Sequence, residues 1–271
     1  MPIQEGLIRP KPIEQSTSQY KIEKWAPADV RAISRLEELN WAPWLRKSSD
    51  NMRNIASHFP DTQLLARNNR GDVVAVLTAN RINWDGNPHS LGTWDDVVGG
   101  SEKASDYSST YITDGNTICL TSSAVDPLAK GEGLAAKLVT EMKQVGKELG
   151  VDHLIGPFRP SGYGAYKLEH GTTDFVEYCG MMREDGQPLD PWLRNAVRLG
   201  MQPLGVAEAS MVVEVPMSKF EEYKETYHPE KWKDFGNGRW ECGETGSWYV
   251  DPADNRAKYI EPNVWGKIPL T

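Results

Sequence analysis

Apolar positions along the chain switch repeatedly between a period of two and a period near 3.6, which outlines alternating strands and helices. YKIEKW at 20–25 alternates as a strand does. PADVRAISRLEELNW then predicts a helix, with Pro27 suited to its first turn and Val30, Ile33 and Leu36 on one face. SSD at 48–50 supplies capping residues for a second helix carrying Met52, Ile55, Ala56 and Phe59 at helical spacing. TQLLAR and VVAVLTANR, joined by NNRGD, predict a β-hairpin. Between Trp84 and Asn116 the periodicity fades, except in TWDDVVGG, where Thr93 can cap a short helix. A connection this long suits either a mobile surface insertion or a substrate lid.

TICLTSSAV (Thr117–Val125) predicts a further strand. The helix after it places Leu134, Leu138, Met142, Val145 and Leu149 in one stripe and stops at Gly150. HLIGPF follows as a strand, and the stretch from Arg159 to Leu189 offers only helical turns after Gly162. DPWLRNAVRLGM predicts a helix opened by Asp190 with Pro191 in its first turn, and PLGV and ASMVVEV give two candidate strands. Beyond Pro216 the composition changes, and Trp232, Trp240, Trp248 and Trp265 gather there. RWECGETGSWYV reads as two strands around a GETG turn and AKYIEPNVW as a third. Aromatic packing of a small appended sheet accounts for these tryptophans better than a binding platform does. The organisation expected is a flexible arm over 1–19, a domain over 20–215 and a Trp-rich β extension over 216–271 packed on it.

Composition narrows the function. The 271 residues suffice for a large buried core, and no apolar run approaches a membrane span. The first twenty residues lack the apolar centre of a secretory signal, which predicts a cytoplasmic protein with no membrane partner. The net charge of −8 and the lack of a basic cluster argue against a nucleic-acid partner. Cys119, Cys179 and Cys242 are isolated, and the five histidines are scattered, so neither a disulfide framework nor a metal site is expected.

The stretch VDPLAKGEGLAAKL carries the chemistry, because glycines at a helix start let backbone N–H groups and the helix dipole face an anion. Gly131, Gly133 and Ala136 satisfy the dinucleotide pattern GxGxxA. In that fold, however, the glycines follow the strand almost at once, whereas Asp126 to Lys130 intervene here. The acidic residue due at the end of the next strand is also missing, since Asp152 precedes that strand.

The same stretch resembles the acetyl-CoA signature of the GNAT superfamily of N-acetyltransferases, V-x-P followed by Q/R-x-x-G-x-G/A. Val125, Pro127, Lys130, Gly131, Glu132, Gly133, Leu134 and Ala135 carry the match. Lys130 replaces the usual Gln or Arg, and Glu132 brings a negative charge that should point away from a pyrophosphate. The order of elements over 20–215 also resembles that family. FRPSGYGAYK and DPWLRNAVRLGM further resemble GNAT modules attached to carbon–nitrogen hydrolases and GNAT-like domains of polyketide loading modules. Some of the latter use a histidine for malonyl decarboxylation where this chain has Asn195 and Ala196.

The resemblance implies an α/β (α+β) fold, with a mixed central sheet flanked by helices. It also implies direct acyl transfer, acetyl first, from acetyl-CoA to a small-molecule amine. Acyl transfer to a carrier-protein thiol, malonyl-CoA decarboxylation and a silent CoA-binding module are the alternatives, and a homodimer is left open. Pantetheine would pair with the backbone of Ala124 and Val125, with Ser123 nearby. Many relatives protonate the thiolate with a Tyr on the late helix, which this chain lacks; Tyr163, Tyr166 and Tyr178 are the substitutes. Thr121, Ser122, Glu177 and Glu208 are candidates for base or relay. Arg159, with Tyr166, would hold the substrate, the guanidinium taking an acidic group.

Overall fold

The strand signals become one ten-stranded sheet in the computed structural model, which describes residues 19–100, 106–171, 173–251 and 253–271. The arm expected over 1–19 therefore lies outside the described residues except for its last position. The sheet begins with β1 (Tyr20–Lys24), β2 (Gln63–Asn68), β3 (Val73–Ile82) and β4 (Thr117–Val125), each antiparallel to the one before. Then β5 (His153–Phe158) lies parallel to β4.

Helices cover both faces. On one lie α1 (Val30–Asn40) and α2 (Ser49–His58), whose Ile33, Leu36, Met52 and Ile55 are buried as their spacing predicts. On the other lies α5 (Leu134–Glu148), with α6 (Tyr163–His170), α7 (Phe175–Gly180) and α8 (Pro191–Arg198) beyond it. Local capping fixes the starts of these helices. The Ser48 side chain accepts from the Asn51 N–H at 3.1 Å, and the Asp190 carboxylate accepts from Trp192 and Leu193, each at 2.9 Å. Such caps contribute about 1 kcal/mol each.

The segment after Trp84 is neither a loose insertion nor a lid over its described residues. It forms α3 (Trp94–Val98), opened by a Thr93/Asp96 capping box, and α4 (Tyr107–Thr110). Trp84, Trp94, Val97, Val98 and Tyr107 are all buried against the sheet. Large apolar side chains at this density each contribute roughly 1.5–3 kcal/mol when covered, which anchors the segment.

The C-terminal region departs most from expectation. PLGV and ASMVVEV belong to one strand, β6 (Gln202–Pro216), so the boundary placed at 215 falls inside it. β6 pairs along its length with β10 (Arg256–Ile268), and two register shifts absorb the irregular middle that resembled a break. On its other edge β10 pairs with β5 through Val264–Ile268 and with β9 (Ser247–Asp251) through Arg256–Ile260. β8 (Arg239–Glu241) and β7 (Lys233–Asp234) extend the sheet past β9. The third Trp-region strand is thus internal to the main sheet. Residues 217–255, which include α9 (Met217–Thr226), form an insertion between two paired strands. Trp44, from the segment after α1, sits at the centre of the aromatic cluster that holds this insertion down, with Tyr223, Tyr227, Trp232, Trp248 and Tyr259 rings 5.0–5.9 Å away.

Candidate active site

Parallel strands β4 and β5 stay paired only from Thr117↔His153 to Cys119↔Ile155 and then part. A register shift against β3 just beyond, between the Thr78↔Ser122 and Ala79↔Leu120 pairs, leaves Thr121 as the extra residue and bends β4 away. The gap is a cleft of about 730 Å³ running through the sheet. Ala129–Gly131, Gly133–Ala136, Phe158, Trp192 and Asn195 line it toward the α5 face. Asn40, Trp41, Ser122, Arg159, Glu244 and Thr245 line it toward the α1 face.

Backbone direction along β4 decides which groups the gap exposes. The Asp126 N–H donates to Val74 O of β3 at 2.8 Å, and peptide groups alternate in direction along a strand. Ala124, paired with Val76, is therefore turned into the sheet, whereas Ser123 and Val125 present N–H and C=O to the gap. The expectation for Ala124 is corrected in this respect; its methyl is buried in the α1-side core.

The loop after β4 ends in a helix start without a side-chain cap, because Gly133 occupies the cap position at φ +71°. The first-turn N–H groups of Leu134, Ala135 and Ala136 thus have no capping acceptor and border the cleft. Gly131 at φ +93° and Gly133 have open space where a Cβ would stand, so an anion can approach their backbone. This donor set fits a pyrophosphate, and the groups that would hold coenzyme A are the N–H groups of Gly131 and Gly133–Ala136 together with the Ser123 and Val125 backbone. Glu132 is exposed and does not line the cleft, and Lys130 borders it.

Residues 29–168 match the acetyltransferase (GNAT) family. The chain belongs to that family. An arginine N-acetyltransferase of Aspergillus versicolor, avaD, is 26% identical over 164 residues, 51% of this chain and 51% of that protein. The chain thus matches about half the length of this curated relative. The loading GNAT-like domain of CurA from Lyngbya majuscula superposes with a TM-score of 0.63 at 15% identity, over 93% of this chain and 98% of that one. The GphF GNAT-like decarboxylase, solved with isobutyryl-CoA, gives 0.61 at 17% identity, over 93% and 100%. At these identities the likeness is one of fold.

Within this GNAT domain the other expected site residues divide. Thr121 borders the cleft, but its hydroxyl is engaged with Tyr107 OH at 2.9 Å and Thr78 O at 3.1 Å, so it is not free as a base. Tyr163 is buried among Phe175 and Tyr178 and donates to Thr173 O at 2.6 Å; burial pushes its hydroxyl up to about 12. It does not line the cleft, which corrects its assignment as catalytic acid. Tyr166 packs on His170 and Tyr178, and Glu177 is exposed in the first turn of α7, both away from the cleft. Tyr178 donates to Asp190, and Glu208 is exposed on β6. The late-helix position is represented by Asn195, which lines the cleft, and Ala196, which is buried.

Arg159 does border the cleft, but two carboxylates already hold it. Its Nε donates to Glu261 at 2.9 Å, a terminal nitrogen is ion-paired with Glu244, and its guanidinium lies over the Trp41 ring at 5.2 Å. Its charge is thus already matched by two carboxylates, which weakens the expected pull on an acidic substrate group. Glu244 and Glu261 are the residues that sequence reasoning missed. One usable signal was a lone glutamate in the middle of the otherwise largely apolar strand YIEPNVW. Among the described residues no group of three His, Cys, Asp or Glu side chains is placed to hold a metal ion, and no helix is long and apolar enough to cross a membrane.

Proposed function

We propose that the protein transfers an acyl group, acetyl in the first instance, from acyl-CoA directly to the amine of a small molecule. The observation that carries this is the parting of β4 from β5, with open backbone at Ser123 and Val125 leading into an uncapped helix start. When bound, acyl-CoA supplies the activated thioester. The first-turn N–H groups of α5 hold the pyrophosphate, and the Ser123 and Val125 backbone aligns the pantetheine arm as an added strand. An N–H at the gap then meets the oxygen on which charge develops, and the cleft's other mouth brings in the amine.

Proton handling falls to water and hydroxyls. Among the described residues no histidine or tyrosine lines the cleft, and Ser122 has an enclosed hydroxyl without a partner. Support for an amine acceptor comes from the relative that is an arginine N-acetyltransferase. The reading is tested by titrating acetyl-CoA calorimetrically and following free-thiol release with an amine and amino-acid panel. Binding with amine-dependent thiol release is the expected result. Binding without release would leave a silent CoA module, and absence of binding would overturn the reading.

A further inference from the structure

We infer that the insertion between β6 and β10 builds the acceptor subsite, and that Glu244 on its turn binds a fixed positive charge of the acceptor, a guanidinium or second ammonium distinct from the reacting amine. This rests on the acyl-transfer reading above.

Charge balance at the α1-side mouth is the first ground. Arg159 meets two carboxylates, Glu244 and Glu261, which leaves one negative charge in excess. Glu261 is buried and fully engaged, by Arg159, by the Tyr259 hydroxyl at 2.6 Å and by Asn263. Glu244 is the member with a face on the cleft, its side chain 16% exposed. Lys231 adds a positive charge near Glu244, but from an exposed position where water screens it.

The state of Glu244 decides its role. Burial works against its charge, but Arg159 and the Tyr227 hydroxyl at 2.7 Å outweigh burial and hold its pKa below the usual carboxylate range. A carboxylate so held is a poor general base at neutral pH and a good ion-pair partner. It therefore takes a charge the acceptor keeps throughout the reaction.

The turn that carries Glu244 is fixed from beneath, as a preformed subsite requires. The buried Lys167 ammonium donates to Thr245 O at 3.1 Å, Gly246 O at 3.0 Å and Ser247 Oγ at 3.0 Å. Thr245 Oγ1 donates to Pro160 O at 3.0 Å, and Gly164 lies so close that a Cβ there would overlap the Gly243 carbonyl. Lys167 is thus a positioning residue. Independently, Trp41 and Ser122, both lining the cleft, carry an enclosed indole N–H and hydroxyl with no partner.

The test is calorimetric titration of the protein, with and without saturating CoA, by agmatine, butylamine and L-glutamate. Agmatine is expected to bind at least about ten-fold more tightly than butylamine. Glu244→Gln, which keeps the shape and the Tyr227 contact, should collapse that preference while acetyl-CoA affinity is unchanged. Should that variant lose acetyl-CoA binding through misfolding, Glu244→Asp, which retracts the charge, should reduce the preference in its place. Equal affinity for agmatine and butylamine, a preference surviving Glu244→Gln, tighter glutamate binding or no agmatine binding would each overturn the inference. Loss of acetyl-CoA binding by the unmodified protein would instead overturn the acyl-transfer reading, since agmatine is also titrated without CoA.

Discussion

The ammonium of Lys167 stands 2.6 Å from the carboxylate of Glu241, with the two side chains 1% and 0% exposed. Arg239 reaches the other oxygen of that carboxylate at 2.7 Å. Burial lowers the Lys167 pKa, the Arg239 charge adds to that shift, and Glu241 works against it. Lys167→Met removes the nearer cation and the donors to the Glu244 turn together. It should cost about 3 kcal/mol in urea denaturation, because breaking a buried pair strands its partner. Adding Glu241→Gln should restore part of this in a double-mutant cycle. In calorimetry Lys167→Met should weaken agmatine while sparing acetyl-CoA, a separation that general destabilisation would not produce.

Tyr163→Phe should leave the acyl-transfer rate and its pH profile unchanged, because the ring lies outside the cleft. Its loss of the bond to Thr173 O should lower stability by about 1 kcal/mol. A ten-fold fall in kcat would return Tyr163 to the catalytic machinery and refute its placement.

Gly133→Ala should weaken acetyl-CoA binding about ten-fold, read by calorimetry. The site has room for a methyl group, but φ +71° costs a non-glycine residue roughly 1–2 kcal/mol, and relaxation would re-aim the first-turn N–H groups. Agmatine binding to the CoA-free protein should not change.

Asp95 provides a pH-dependent stability test. Burial pushes its pKa from 3.8 to about 6; the Val212 N–H opposes the shift, and Asp96 and Glu261 add to it. Between those values the folded chain holds more protons than the unfolded one, so stability falls as pH rises through the window. Asp95→Asn should therefore raise stability at pH 8 by on the order of 1 kcal/mol. The gain should vanish near pH 4, and thermal melts at the two pH values would check it.

With no histidine in the cleft among the described residues, kcat/KM should climb with pH until the acceptor's amine is neutral. A bell-shaped profile with an enzyme limb between pH 6 and 8, persisting across amines of different pKa, would expose an unrecognised acid or base.

What was legible in the sequence follows from the range of the forces involved. Ser48, Thr93 and Asp190 act within three residues of themselves, so the helix starts were readable. The same holds for the glycine loop, where the backbone alone does the work. Arg159 was misread because its partners Glu244 and Glu261 lie 85 and 102 residues away and meet it only through the sheet. Tyr163 was misread because a short helix does not declare which face the α8 side will bury. The strand β10 looked peripheral because sequence order says nothing of its place between β5 and β6.

The insertion's two ends meet at a single rung, where Pro216 stands opposite Arg256. Lengthening or exchanging the chain between them shifts no other rung of the β6–β10 pair. The thioester half of the cleft is built from the strands that define the sheet and tolerates little drift. Glu244 is carried instead by the chain between those two ends, so the two halves of the cleft come from separate stretches of the sequence.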